Sequence, residues 1–258
     1  MSPPRVQQLG HEYVGTIVAI PTSETKSQIG DRVGGAWHGA HDSACRACSR
    51  GVFQMCDNKA INGVSRNGGY GEYATIRTEA GVRIPNHADP ATVAPLLCAD
   101  VTVFNGMRLM GIPAGEVVAV QGLGGVNLPL TLNLHRFENP DEEASSAISR
   151  FIMRDLAMPL GATDYIDTLA SDIAADLQEL GGAAFIIVTA PNTNVIGSLL
   201  AGLAVQGKFL VYTAIVPVSF DTILLVPRAL SVCGYGRVNM HVIRKKRLLL
   251  RRCMALSA

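Results

Sequence analysis

Apolar positions in the first part of the chain come in short bursts. Residues 13–20 read YVGTIVAI, rich in β-branched side chains, which predicts a strand. GDRV at Gly30–Val33 has the form of a turn leading into a second strand. Glycines and polar residues punctuate the following fifty positions, and RNGGYGEYATI over 66–76 reads as a turn followed by a strand. Short strands separated by loops predict a small β-barrel-like unit.

From Pro90 the period lengthens. DPATVAPLLCADVTVFNGMRLMG sets apolar residues at helical spacing behind a proline suited to a first helical turn. GEVVAVQGLGG over 115–125 is a strand running into glycines. LASDIAADLQELGG is an amphipathic helix ending in glycines, AAFIIVTA over 183–190 a buried strand, and GSLLAGLAVQGKFLVYTA repeats helix then strand. Strands alternating with helices predict a parallel sheet covered by helices on both faces. The change of texture falls between residues 85 and 98, and there is no internal repeat.

Composition narrows the class. The 258 residues suffice for one large domain or two modest ones; 48% are apolar and 17% charged, which argues for a packed core. A net charge of +1 argues against a nucleic-acid partner for the molecule as a whole. The start, MSPPRVQQLGHE, does not read as a signal peptide, and no window is apolar enough for a membrane span. The expectation is a cytoplasmic chain, in which close-set thiols bind metal rather than pair as disulfides.

The cysteines at 45, 48 and 56 then become the leading chemical feature. Asp42, Cys45 and Cys48 stand at two-residue gaps, so one tight loop can aim all three inward, and Cys56 closes the site. Four protein ligands describe a closed, structural zinc centre. His41 is an alternative fourth ligand that breaks the even spacing. The competing reading is three free cysteines on a surface loop.

The glycines after the 117–121 run, Gly122, Gly124 and Gly125 around Leu123, are the start of a dinucleotide-binding turn. The full fingerprint wants glycine at 127, where this chain has Asn127. Taken singly, His11 in GHE and Cys98 in PLLCAD read as structural residues, and an ordinary Gly-rich turn competes with the cofactor reading.

The ordered run GHEYVGTIVAI, GDRVGGAWHGAHD, CRACSRGVFQMC, GGYGEYA, PLLCADVTVFNGMR, GEVVAVQGLGG, LGATDYID and VTAPN changes that balance. Together these pieces resemble the fungal zinc-dependent alcohol dehydrogenases of the medium-chain dehydrogenase/reductase superfamily. The resemblance implies an α/β chain. A partial GroES-like β-barrel would occupy 1–95 and a Rossmann-like parallel α/β domain 96–236, with an aberrant basic tail at 237–258. It implies structural zinc at Asp42, Cys45, Cys48 and Cys56, where most members have cysteine in place of Asp42. It places His11 and Cys98 on a catalytic zinc, with Glu12 beside it, and Thr102 near the nicotinamide. Gly122, Leu123, Gly124, Gly125, Ser149, Arg150, Thr189 and Ala190 would bind the cofactor. NAD enzymes place an acid at the end of the second strand; here Ser149 and Arg150 suit the 2′-phosphate of NADP(H), which is favoured over NAD(H). The implied reaction interconverts a primary alcohol and an aldehyde, and the implied assembly is a homodimer.

Three departures temper the expected activity. The family's first catalytic cysteine and its proton-relay hydroxyl lie upstream of GHE, so the catalytic zinc set reads as incomplete. VNLPLTLNLHRFENPDEEASS over 126–146 does not resemble the family's first Rossmann helix. The last stretch, from Gly236, carries seven Lys and Arg and no acid. It reads as a solvated end, a nucleic-acid patch, or the product of a shifted reading frame. The rival to an enzyme is an inactive remnant or binding module that keeps only the structural zinc.

Overall fold

The computed structural model describes residues 7–111, 116–122, 146–149, 154–159, 162–167, 169–212 and 217–234. The chain divides into two compact units, and the division falls between Thr102 and Val103.

In the first unit, β1 (Tyr13–Thr16), β2 (Arg32–Gly35) and β5 (Val82–Arg83) form an antiparallel sheet in the order β1-β2-β5. Tyr13 pairs with Gly35 and Thr16 with Arg32. A second small sheet joins β3 (His38–Ala40) to β4 (Ala60–Ile61), with an irregularity between His38 and Ala40. Its core is Ala36, Val82, Ile84, Ala88, Val93, Leu97 and Val101. Three of these come from the helical stretch that the spacing after Pro90 predicts. That stretch is not uniform. A helix over Pro90–Pro95 is capped by Asp89, whose side chain accepts from the Thr92 N–H, and Pro90 needs no partner for its missing N–H. A π-helical turn, Leu96–Asp100, follows, and a regular helix then runs Val101–Met110.

The expected strand at the end of 66–76 does not form. Residues 72–76 join no ladder among the described residues. The preceding glycines are used otherwise: the N–H groups of Gly68, Gly69 and Tyr70 donate to the carbonyls of Gln8, Gly10 and Leu9. The segment clamps another loop instead of continuing a sheet.

In the second unit, six parallel strands lie in the order β11-β10-β9-β6-β7-β8. They are β6 (Val118–Gln121), β7 (Ser146–Ser149), β8 (Asp164–Asp167), β9 (Ala183–Val188), β10 (Leu203–Val211) and β11 (Ser231–Gly234). In chain order this is 6-5-4-1-2-3, the doubly wound order of dinucleotide-binding folds. Alternation along the strands feeds two cores. Val118, Val120, Phe185, Ile187 and Leu210 pack with Val103 and Met107 on one face. Ala119, Ile186, Val188 and Phe209 pack on the other with Ile173 and Leu177 of the Ile173–Glu179 helix and with Ile196, Leu199 and Leu200. A sheet buried on both faces explains why β9 is apolar at every position. No helix among the described residues is long and apolar enough to cross a membrane.

Candidate functional site

Asp42, Cys45, Cys48 and Cys56 converge, their donor atoms all lying within 4.8 Å of one another. The loop geometry follows from short-range bonding. Asp42 Oδ1 accepts from the N–H groups of Ala44 at 2.8 Å and Cys45 at 3.2 Å, and Ser43 sits at φ 62° between them. Cys45 begins the one-turn helix Arg46–Ser49, which carries Cys48 inward, and the turn Phe53–Met55 returns Cys56. The Cys48 thiol donates to Asp42 Oδ1 at 3.4 Å, and Cys56 Sγ accepts from the Asp42 N–H at 3.4 Å.

These donors fit a tetrahedral cation, whose ligands would stand roughly 3.8 Å apart for bonds of about 2.3 Å. Their protons show the same crowding. N–H donors from Asp57 and Cys48 lower the Cys45 thiol, whereas burial and then the Cys45 sulfur push Cys48 up to about 12. The Asp42 carboxyl is held well below its ordinary range, first by the Ala44 N–H and then by Asn58. His41 is not part of this donor set. Its Nδ1 meets His38 Nε2 at 3.1 Å and its ring stacks on Phe53, so the carboxylate takes the position that the sequence left open between the two.

A second group gathers in the same unit: His11, Glu12 and Cys98, again within 4.8 Å. The His11 ring meets Trp37 edge-on at 5.0 Å. Glu12 Oε1 accepts from the Ala99 N–H at 3.2 Å, inside the π-helical turn, and the Thr102 hydroxyl donates to the Cys98 carbonyl at 2.6 Å. A widened turn of this kind re-aims one side chain without ending the helix. Burial, then the Glu12 charge, pushes Cys98 up to about 12. The same two causes push the buried Asp100 carboxyl up to about 6. A poorly solvated thiol held beside a carboxylate is an arrangement in which a bound cation would favour the thiolate.

Sequence reasoning missed what holds His11 in place. A Cβ at Gly68 would fall 1.9 Å from the Gly10 carbonyl oxygen, so only glycine allows the clamp on residues 8–10. The signal was the GGYG run itself, read as a turn rather than as a seat for GHE.

In the second unit, Gly122, Thr189 and Ala190 meet at the carboxyl ends of β6 and β9, where the strand order reverses. Open α/β sheets bind ligands at such a point. Gly122 takes φ 95°, and a Cβ there would lie 2.6 Å from Ala190 Cβ. The Thr189 hydroxyl donates to the Gln121 and Gly122 carbonyls at 3.0 and 2.7 Å. Ser149 ends β7, the neighbouring strand. Leu123, Gly124, Gly125 and Arg150 lie outside the described residues, as do 126–145 and the basic tail.

Known proteins resemble both parts of the chain. Residues 1–86 match the alcohol dehydrogenase GroES-like domain. The alcohol dehydrogenase patD of Penicillium expansum is 49% identical over 227 residues, covering 88% of this chain and 66% of that protein. The chain belongs to the zinc-dependent alcohol dehydrogenase family. Another member, notN of an Aspergillus species, is 42% identical over 210 residues, 78% of this chain and 59% of that one. The chain thus spans less than two thirds of these relatives. Among solved structures, a zinc-binding dehydrogenase from Sinorhizobium meliloti bound to NADP superposes with a TM-score of 0.84 at 25% identity, covering 96% of this chain and 74% of that one. Within the family, the early cysteine lobe and the switch-point glycine belong to an oxidoreductase scaffold.

Proposed function

We propose that the chain carries the machinery for hydride transfer between NADP(H) and a primary alcohol or its aldehyde, with a structural zinc in the Asp42–Cys56 lobe. The observation that carries this reading is the convergence of His11, Glu12 and Cys98 from two distant segments. When bound, zinc supplies Lewis acidity and the nicotinamide dinucleotide supplies the hydride acceptor. His11 and Cys98 would hold the catalytic metal, with Glu12 beside it. Trp37 sets the plane of the His11 ring, and Glu12 ties its own loop to the π-helical turn. Cys98 would hold the metal as its thiolate, the ligating form of the side chain. Gly122 and Ala190 offer backbone with little bulk at the switch point, beside the Thr189 hydroxyl. Ser149 at the end of β7, with Arg150 after it, supports NADP(H) over NAD(H), and so does the NADP in the Sinorhizobium relative. A cytoplasmic homodimer completes the proposal.

A second reading, a non-catalytic chain holding only the lobe metal, is favoured by the donor count of four in the lobe against three at His11. Metal analysis of the full chain together with NADPH-dependent reduction of an aldehyde panel separates the two. Two zinc ions and turnover, with Cys98→Ser losing one ion and the activity, support the enzyme. One zinc, no turnover and no effect of Cys98→Ser support the second reading.

A further inference from the structure

The two oxygens of Asp42 have different partners. Oδ1 faces the sulfurs, where it accepts from the Cys48 thiol at 3.4 Å and from two loop amides. Oδ2 points away and accepts a hydrogen bond of 2.7 Å from the Asn58 side-chain amide. Asn58 lies two residues beyond Cys56, on the strand of chain that closes the lobe, so it is carried to Asp42 by the same fold that delivers the last sulfur.

From this geometry we infer that Asn58 is a positioning residue of the metal lobe, locking Asp42 as a one-oxygen ligand through Oδ1. The inference rests on the lobe being the metal site proposed above. A carboxylate differs from a thiolate in having two equivalent donor atoms and a free rotation about its last bond. A cation among three sulfurs could therefore be met by either oxygen, or by both at a longer reach. Engaging Oδ2 with an N–H donor removes that choice. The two loop amides fix the other end of the same group, so the carboxylate is oriented before any cation arrives. Outer partners of metal ligands act in this way, and their loss costs about 10–100-fold in affinity. Both Asp42 and Asn58 are exposed, where water competes for the bond, so the lower end of that range applies.

The arrangement is matched to oxygen. A cysteine at 42 would present one sulfur and leave the Asn58 amide with no second atom to hold. The role of Asn58 therefore exists only while residue 42 is an acid, and this gives a test that a merely structural role would not pass. Cobalt(II) is titrated into the full chain against a chelator of known affinity. The lobe is followed by its intense sulfur-to-cobalt absorption, in wild type, Asn58→Ala, Asn58→Asp, Asp42→Cys and Asp42→Cys/Asn58→Ala. Asn58→Asp fills the same space but cannot donate, which guards against an effect of the cavity alone.

Asn58→Ala is expected to weaken lobe binding about tenfold, and Asn58→Asp more, with an altered cobalt ligand-field spectrum. In the Asp42→Cys background, Asn58→Ala should change affinity less than twofold. Equal losses in both backgrounds would overturn the inference, because Asn58 would then support the loop and not the carboxylate. Unchanged affinity in both Asn58 variants would overturn it as well. Failure of every variant, wild type included, to show sulfur-to-cobalt absorption would sink the metal lobe itself.

Discussion

Glu12 Oε1 accepts a hydrogen bond from the Ala99 N–H at 3.2 Å, which binds the loop after Gly10 to the widened turn that carries Cys98. The bond and the charge of Glu12 can be separated. Glu12→Gln keeps an oxygen acceptor for Ala99 but removes the anion that, after burial, holds the Cys98 thiol up. With the metal-free chain, Cys98 in this variant should alkylate several-fold faster at about pH 9, because more thiolate is present. An unchanged rate would mean that burial alone sets the thiol. Peptide mapping identifies the cysteine.

Gly122 can be tested by cofactor binding. Gly122→Val places a β-branched side chain at φ 95° against Ala190. NADPH affinity, read by fluorescence, is expected to fall more than tenfold, and stability by about 1–3 kcal/mol. Wild-type affinity would remove the switch point from the cofactor site.

Asp89 predicts a pH-dependent stability. The Thr92 hydroxyl and N–H hold its carboxyl below the ordinary value in the folded chain. A depressed folded pKa stabilises above the unfolded pKa of about 4, and that contribution disappears as the pH falls through the folded value. Asp89→Ala should therefore lower the melting temperature at neutral pH, and the gap from wild type should narrow below about pH 4. A gap of constant size would assign the effect to helix propensity.

Leu177 is fully buried, and its Cδ1 presses on Gly202, where an added Cβ would lie 2.6 Å away. Leu177→Ala is expected to cost about 2–5 kcal/mol by chemical denaturation, since the close approach leaves little room for collapse. A loss below about 1 kcal/mol would indicate that the helix shifts to fill the space.

The parallel sheet could be read from the sequence because its strands are buried on both faces. AAFIIV at β9 needs no alternation to be recognised, and the Ile173–Glu179 helix shows its buried stripe at Ile173 and Leu177. The lobe was readable because Asp42, Cys45, Cys48 and Cys56 are near in sequence, and a loop can gather near residues without help from tertiary structure. The second cluster needed long-range folding, which a pattern within one window cannot express. His11 and Cys98 were placed only through the family resemblance, and the clamp of Gly68 on Gly10 was not foreseen. The 72–76 stretch failed for the same reason, since β propensity does not reveal whether a neighbouring strand exists to receive it. Asn58 gave no signal of its own, being a polar residue in a loop until its partner is known.

The π-helical turn at Leu96–Asp100 has a consequence for how such a chain can change over time. The widened turn absorbs one extra residue locally, so the helix on either side keeps its facing while the side chains within the turn are displaced. Removing a single residue there would return the backbone to regular winding and swing the sulfur about a quarter of a revolution around the axis, with no side chain replaced. The scaffold can therefore lose or regain the Cys98 corner of its cluster with His11 and Glu12 by a change of length alone, while the apolar contacts on either side keep their identities.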